Sequence, residues 1–555
     1  TKYENDFRAR RITAYLDLVD HIVCKDFAAL KSSPFDPGSE ITKYFELLED
    51  ASPLRIRYQE MLAENNPQRK KTIQDELRAS IHAGDINVNI MTKLDRNVFD
   101  KKNQPLPDEF SDALSALRGY AQSSLTSAIV FSAGINRRLY SYAEKFKDFY
   151  ADATGFIKKK IILKVTDYRS SIIQGKFFAK KGLWISEFRI ESGLNCGGHV
   201  FPSDGFLMGP IMEEFKQKKN ELIENLHQIY NEALKARQRP TFAKPHDVRI
   251  TAQGGIGTVK EQRFLLEFYG LDGTGWATPF LLVPEVTNVD DATLKKLAAA
   301  TENDLYMSDV SPLGVRFNNL RGNSSDVEKE RRVQAGRPGS ACPKSHLVSN
   351  TEFTAQPICT ASRQYQKLKI DQLKTLNLPP NIFKDRFDQI VKKACLCNDL
   401  GEPALIKNNM VKEGVKKFTA ICPGPNLAYF SKISTLKEMV DHIYGRINLL
   451  NSTYRPHMFI KELKMYVEYF MDDVKKASFE PTEKQKASLQ EFRKNMLEGI
   501  EYYRGLYPIM VEETEEFRQK ALQELQEFKE NLNQFVAQHA DLFPQSTSSL
   551  AAVFI

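Results

Sequence analysis

The chain has 555 residues, of which 42% are hydrophobic, and a formal net charge of +7 from 78 basic and 71 acidic side chains. This length and composition are typical of a globular protein of several domains and exclude a disordered chain. The basic excess is spread along the chain, which argues against a nucleic-acid partner. Neither a run of about 18 apolar residues nor a leader pattern occurs, so we expect no membrane partner and a cytoplasmic protein.

Four regions follow one another along the chain. Residues 1–85 alternate helical patterns with proline-containing breaks and are predicted to form a helical lead-in. Residues 86–320 contain β-prone apolar runs separated by helical patterns, which is typical of a βα-barrel. Residues 321–430 carry cysteines and many turn-forming residues, so we expect a loop-rich segment with a long surface excursion after Arg321. Residues 431–555 are predicted to form a helical C-terminal region.

The barrel-like region contains six recognisable strands. They lie in or just before the segments 86–94, 127–135, 161–168, 192–201, 249–270 and 272–285. A closed barrel of this class needs eight strands. Three explanations remain open: the missing pair precedes the first residue, a partner supplies it, or the barrel is broken.

Glycines mark the turn after the fifth of these strands. Gly254, Gly255 and Gly257 end the strand just before a helical pattern. Glycines at a strand-to-helix turn let backbone N–H groups approach an anion, and the helix N-terminus adds its positive dipole end. Ala277 and Thr278 follow the next strand, in a loop where βα-barrels commonly bind phosphate. The two loops together predict a phosphate site, although a need for positive φ would explain any single glycine.

Five short segments occur in a characteristic order. They read INVNIMTKL at 86–94, NCGGH at 195–199, QGGI at 253–256, ATPFL at 277–281 and SPLGVRFN at 311–318. In order and spacing they resemble the G-V-N-L, E-A-G-G-H, A-G-G-I, G-T-R-F-L and R-x-x-R-N motifs of one family. It is the nitronate monooxygenase family of FMN-dependent barrels, which also includes the FMN-type enoyl-acyl carrier protein reductases.

The resemblance implies a fold, an activity and a set of ligands. The fold is α/β, a (β/α)8 TIM-type barrel with helical extensions at both ends. The activity is that of an FMN-dependent oxidoreductase of the nitronate monooxygenase type acting on a small organic substrate. An enoyl-reductase-like enzyme, or a non-enzymatic interaction protein built on the barrel, is the alternative. The positions that match the family's FMN contacts are Asn89, Gly198, Gly254, Gly255, Gly257, Ala277 and Thr278.

The chain also departs from the family pattern. Asn195 and Cys196 replace the glutamate and the alanine that precede G-G-H in the family. The floor of the substrate pocket is therefore chemically different, and the substrate need not be a nitronate. The family's first two strands, with the loop that covers the flavin, are not recognisable before Asn89.

His199 is the candidate catalytic residue. An imidazole takes and returns a proton near neutral pH, and a positioned acid–base group is worth about 100- to 10,000-fold in rate. A structural histidine that hydrogen-bonds across a strand end is the alternative. In the resembling family the matching histidine lies over the flavin, which favours catalysis by His199.

Five of the seven cysteines fall between residues 342 and 422. The C-x-C and C-P contexts are familiar from iron–sulfur ligation, although the spacing matches no standard run. One interpretation is an iron–sulfur cluster within electron-transfer reach of the flavin. Its ligands would be Cys342, Cys395, Cys397 and Cys422. The other interpretation is ordinary reduced thiols in loops near the barrel.

The C-terminal helices carry an apolar stripe at helical spacing. It comprises Leu463, Tyr466, Val467 and Phe470. Such a stripe is ordinarily a buried packing face, and a homo-oligomer interface is the functional alternative. Thr482 and Gln485 form a capping-box pattern, which predicts the start of a helix.

Overall fold

The structure is a computed structural model, and it describes residues 6–90, 95–100, 102, 104–195, 197, 199–200, 203–411, 414, 417–477, 481–511 and 513–543. Helices lie in the described part of the predicted helical lead-in, residues 6–85. Its helices are α1 (Phe7–Ser32), α2 (Glu40–Glu46), α3 (Pro53–Ala63) and α4 (Pro67–Ser80). Buried side chains of α2, α3 and α4, among them Phe45, Tyr58 and Leu77, form a small core, whereas Leu16 of α1 belongs to the main core.

A parallel sheet of six strands forms the centre of the fold. The strands are β1 (Val88–Ile90), β2 (Ser127–Phe131), β3 (Lys159–Val165), β4 (Ile185–Glu191), β5 (Arg249–Gln253) and β6 (Gly273–Gly275). Each strand pairs with the next one along the chain. All six predicted strands are thereby confirmed. Their carboxyl ends all lie at one edge of the sheet, where parallel α/β folds bind ligands.

The two faces of the sheet differ in chemistry. On β3, Ile161, Leu163 and Val165 belong to the main hydrophobic core, whereas Ile162 packs with Val130 on the opposite face. This alternation follows from the period of two along a strand. The second face becomes polar towards the carboxyl ends of the strands, where Lys164 follows Ile162.

The strand pairing observed among the described residues does not close the sheet into a barrel. Among the described residues, no strand pairing joins β1 to β6, which are the edges of the sheet. Two further strands, β7 (Leu305–Ser308) and β8 (Phe317–Leu320), form a separate antiparallel hairpin. The prediction of an α/β fold with a parallel sheet is confirmed, and a closed (β/α)8 barrel stays a prediction.

Helices cover the face of the sheet that carries the main core. They are α5 (Asp112–Ala121), α6 (Arg137–Tyr142), α7 (Tyr168–Ala179), α8 (Met208–Ala236) and α9 (Val259–Glu267). Beyond β6, α10 (Asp291–Ala299) packs in a separate hydrophobic cluster. Helix α1 crosses α5 closely at Gly119, where an added Cβ would lie 2.7 Å from the Ala9 carbonyl oxygen.

Helices occupy much of the segment that was predicted to be loop-rich. They are α11 (Ser324–Gln334), α12 (Arg363–Lys374), α13 (Pro380–Val391), α14 (Leu396–Asp399) and α15 (Glu402–Lys407). The predicted surface excursion was wrong for α11. The Asn323 side chain caps this helix by accepting from the Asp326 N–H at 2.9 Å, and the Asp326 carboxylate is buried against Asn319 and Asn323. Local composition does not reveal such polar packing.

Helix α16 (Leu436–Ile443) packs in the same separate cluster as α10. The helices that follow it, α17 (Met458–Ala477), α18 (Glu483–Leu506) and α19 (Glu515–Ala537), complete the main core. The stripe from Leu463 to Phe470 is buried in the same core as the sheet, so the packing interpretation is confirmed. Thr482 and Gln485 form the predicted capping box at the start of α18. None of the helices in the described ranges is both long and apolar enough to cross a membrane.

Candidate active site

The carboxylate of Glu191 joins three strand ends. Its Oε1 accepts hydrogen bonds from Lys164 Nζ at 3.0 Å, Gln253 Nε2 at 2.8 Å and Asn195 Nδ2 at 2.9 Å. These donors come from the ends of β3 and β5 and from the turn after β4. The Glu191 carboxylate therefore fixes the turn that leads to His199 against the neighbouring strands.

His199 is held by the β7–β8 hairpin. Its Nε2 lies 2.6 Å from the hydroxyl oxygen of Ser311, a fully buried residue in the hairpin loop. The Leu313 N–H donates to the same hydroxyl oxygen at 3.2 Å, which leaves the Ser311 proton available for Nε2. The imidazole also packs edge-on against Phe317, with ring centroids 5.6 Å apart. The side chain predicted to be catalytic thus has a fixed orientation.

The glycine turn after β5 is buried and has a left-handed backbone. Gly254 and Gly255 have φ values of 111° and 81°. A Cβ on Gly255 would lie 2.5 Å from the Leu194 side chain, so the turn packs directly on the segment that precedes His199. The backbone N–H groups of Gly255 and Ile256 donate to none of the described residues, whereas that of Gly254 faces Gly275 in the pairing of β5 with β6. Buried N–H groups without a partner are rare and mark a place for a ligand or for water.

A buried ion pair closes the outer side of this turn. Arg455 donates to both carboxylate oxygens of Glu261, at 2.7 and 2.8 Å, and to the Gly255 carbonyl oxygen at 2.7 Å. The Gly257 N–H donates to Glu261 at 2.8 Å. His442 Nδ1 accepts from the Leu449 N–H, so its Nε2 donates to the Gly257 carbonyl oxygen at 3.0 Å. The segment before α17 and helix α16 therefore fix the geometry of the glycine turn.

The charge of Glu261 depends on its partner. Burial by itself would raise the pKa of Glu261, but the Arg455 guanidinium and the Gly257 N–H bring it below the usual value. Burial also lowers the pKa of His442, which keeps that imidazole neutral. A buried charge that loses its partner is strongly destabilising.

Several of the predicted FMN contacts meet at this place. Gly254 and Gly255 lie against residues 192–195, and a Cβ on Gly424 would lie 2.1 Å from Thr278 Oγ1 and 3.3 Å from the Leu194 carbonyl oxygen. Ala277 is exposed beside the buried Thr278. Asn89 lies on β1, the edge strand farthest from β6 in the pairing order. Gly198 lies outside the described residues.

The turn fits a phosphate group at its second and third residues. The unpaired N–H groups of Gly255 and Ile256 are the donors that an oxyanion needs, at the N-terminal side of α9. Gly257, which was also predicted to contact the FMN, does not fit a phosphate-binding role. Its N–H is bound to Glu261, and a Cβ there would lie 2.6 Å from Arg455 Nε, so this glycine accommodates the ion pair.

Four cysteines are neighbours, and they differ from the predicted set. They form two interacting pairs, Cys342 with Cys359 and Cys395 with Cys397. Within each pair the proximity of the two thiols lowers the pKa of Cys342 or Cys397 and raises that of its partner. Cys422 packs against the small cluster of Val310 and Phe317. No group of three or more His, Cys, Asp or Glu in the described ranges could hold a metal ion, so the iron–sulfur prediction gains no support.

Sequence patterns did not single out four charged residues of this site, Lys164, Glu191, Glu261 and Arg455. Thr258 and Glu261 form a capping-box pattern, and the Thr258 side chain caps α9 as that pattern predicts. The Glu261 carboxylate binds Arg455 as well, which no local pattern indicates. Lys164 could have been noticed as a polar residue near the end of an otherwise apolar strand.

Comparisons with known proteins give little further information. No family model matches the chain, and no curated protein is similar to it. Among solved structures, a mutant of FabK from Thermotoga maritima matches with a TM-score of 0.32 and 12% sequence identity. The match covers 73% of this chain and 84% of the FabK chain. A similarity of this size carries no inference about fold or activity.

Proposed function

We propose that this chain is an FMN-dependent oxidoreductase of the nitronate monooxygenase type that acts on a small organic substrate. The observation that carries the proposal is the buried glycine turn, in which the N–H groups of Gly255 and Ile256 are unpaired among the described residues, beside the segment that leads to His199. The motif resemblance over residues 86–320 supports it independently of the geometry.

The residues of the chain have separate roles in this proposal. Gly255 and Ile256 hold the phosphate through their N–H groups, Gly254 provides the left-handed backbone of the turn, and Thr278 belongs to the neighbouring loop after β6. His199 gives or takes a proton at the substrate, and Ser311 orients the imidazole through the 2.6 Å contact. The flavin, when bound, supplies the hydride or electron transfer. An iron–sulfur cluster is not part of the proposal, because the described residues include no metal-binding group.

Comparison of FMN with riboflavin tests the phosphate site. Riboflavin has the same ring system and lacks the phosphate, so titration of the full chain with each compound isolates that group. Two or more charge-assisted hydrogen bonds predict that FMN binds at least about 100-fold more tightly. Inorganic phosphate should compete with FMN and not with riboflavin. Equal affinities for FMN and riboflavin, or no binding of either compound, would contradict the proposal.

A further inference from the structure

A cavity of about 120 Å³ lies between the β7–β8 hairpin, the segment 423–425 and helix α17. It has room for several water-sized groups and is therefore suited to a small molecule. The residues that carry the argument are Leu194, Glu302, Tyr306, Asn318, Lys461 and Lys464. Leu194 also contacts the glycine turn, so the cavity adjoins the candidate active site.

Asn318 provides an unused hydrogen-bond donor at this cavity. Its side chain is only 4% exposed, and its Nδ2 has no hydrogen-bond partner among the described residues. A buried amide nitrogen without a partner is costly and is usually satisfied by a ligand or by water. Asn318 lies on β8 directly after Phe317, the residue on which the His199 ring packs.

Two lysines of α17 add positive charge. Lys461 and Lys464 are three residues apart and so lie on the same face of the helix. Lys461 donates to the Tyr429 hydroxyl oxygen at 2.9 Å and lies 3.0 Å from Glu302. Lys464 is 42% exposed and reaches Glu302 only at 3.5 Å. Two of its three N–H groups therefore remain for another acceptor.

The charges in the cavity favour a monoanion. The Glu302 carboxylate accepts from Tyr429, Lys461 and Lys464, so its lone pairs are largely used. The two lysines face one half-buried glutamate, which leaves one positive charge in the interior of the cavity. The fourth charged residue of the lining, Glu468, is exposed at the rim. A dianion such as phosphate would need more cations than the cavity holds.

We propose that this cavity binds a small organic carboxylate, whose oxygens accept from Asn318 Nδ2 and Lys464 Nζ. This binding site goes beyond the flavin proposal and does not depend on it.

Acetate is the probe that tests the site. Binding of sodium acetate to the full chain is measured by calorimetry, with sodium chloride at equal ionic strength as the salt control and acetamide as the uncharged analogue. We expect acetate to bind, and acetamide and chloride not to. Asn318→Leu and Lys464→Met each remove one charge-assisted donor and should weaken acetate binding by about tenfold or more. Lys475→Met, an exposed lysine on the same helix, should leave acetate binding unchanged.

Several results would overturn the proposal. They are the absence of acetate binding, equal binding of acetamide, or an unchanged acetate affinity in the folded Lys464→Met variant. Because Lys464 is partly exposed, that variant is expected to fold even if Asn318→Leu does not. FMN titration of the same samples separates the two proposals: retained FMN binding without acetate binding contradicts only the carboxylate site.

Discussion

Arg455 and Glu261 are 194 positions apart in the sequence and form a buried two-pronged ion pair against the glycine turn. Their side chains are 8% and 1% exposed. The pair connects the C-terminal region to the proposed phosphate loop, so the geometry of that loop depends on residues far along the chain. This dependence leads to the first prediction.

Breaking this ion pair should destabilise the protein. Glu261→Gln or Arg455→Met leaves the other group buried without its partner, and each should lower the free energy of unfolding by about 3–5 kcal/mol. The double variant should lose less than the sum of the two, because neither charge is then left unpaired. Denaturant unfolding measures all three variants. Lys71→Ala, in an exposed ion pair on α4, is the control and should have no measurable effect. If the two single losses add up in the double variant, Glu261 and Arg455 do not stabilise each other as an ion pair.

Gly255 should be required for FMN retention. It combines a φ of 81° with a 2.5 Å approach to Leu194, so Gly255→Ala both strains the backbone and displaces the segment before His199. We expect loss of FMN binding with most of the helical circular dichroism retained. Gly336 has a φ of 67° and open space around it, so Gly336→Ala isolates the backbone effect. If both variants bind FMN equally, the close approach at Gly255 has no role in binding.

His199→Ala should leave FMN bound and slow turnover by at least about 100-fold, the low end for loss of a positioned acid–base group. Ser311→Ala keeps the imidazole and removes its 2.6 Å partner, so we expect a smaller loss with an altered pH–rate profile. Reaction of the flavin with an artificial electron acceptor should survive both changes. Unchanged substrate turnover in His199→Ala would show that the histidine is structural.

Glu462 on α17 should make stability depend on pH. It is 2% exposed, and burial raises its pKa from 4.5 to about 7. The unfolded chain loses this proton near pH 4.5 and the folded chain near pH 7. The group therefore stabilises the fold fully below pH 4.5, and this contribution is lost as the pH rises to 7.

Glu462→Gln removes that titration while keeping an acceptor for the Met208 N–H. Between pH 4.5 and 7, the variant should gain stability relative to the unmodified protein, by at most about 3 kcal/mol. Comparing the two proteins at each pH cancels the contribution of all other groups. Glu498→Gln, an exposed glutamate on α18, is the control and should show no such trend. A constant difference across this pH range would contradict the assignment to Glu462.

Local patterns predicted the elements better than their contacts. Alternation of apolar residues indicated β3 and β5, the turn glycines indicated the end of β5, and Thr482 with Gln485 indicated the start of α18. These signals are contained within a few residues, where the backbone period and the capping chemistry decide the outcome.

Contacts between distant segments could not be predicted in this way. The Arg455–Glu261 pair, the Ser311–His199 contact and the Asn318 cavity each join residues more than 100 positions apart or depend on side-chain packing. The proximity of Cys359 to Cys342 depends likewise on backbone pairing between Ser340 and Ser362. No periodicity or propensity records such contacts.

The most direct test of the central claim is the visible absorption spectrum of the purified full chain, with analysis of the cofactor released on denaturation. The account predicts a yellow protein with flavin bands that releases FMN in about equimolar amount. Protein that is colourless as purified, and that gains no flavin bands after incubation with excess FMN and removal of the free compound, would contradict it.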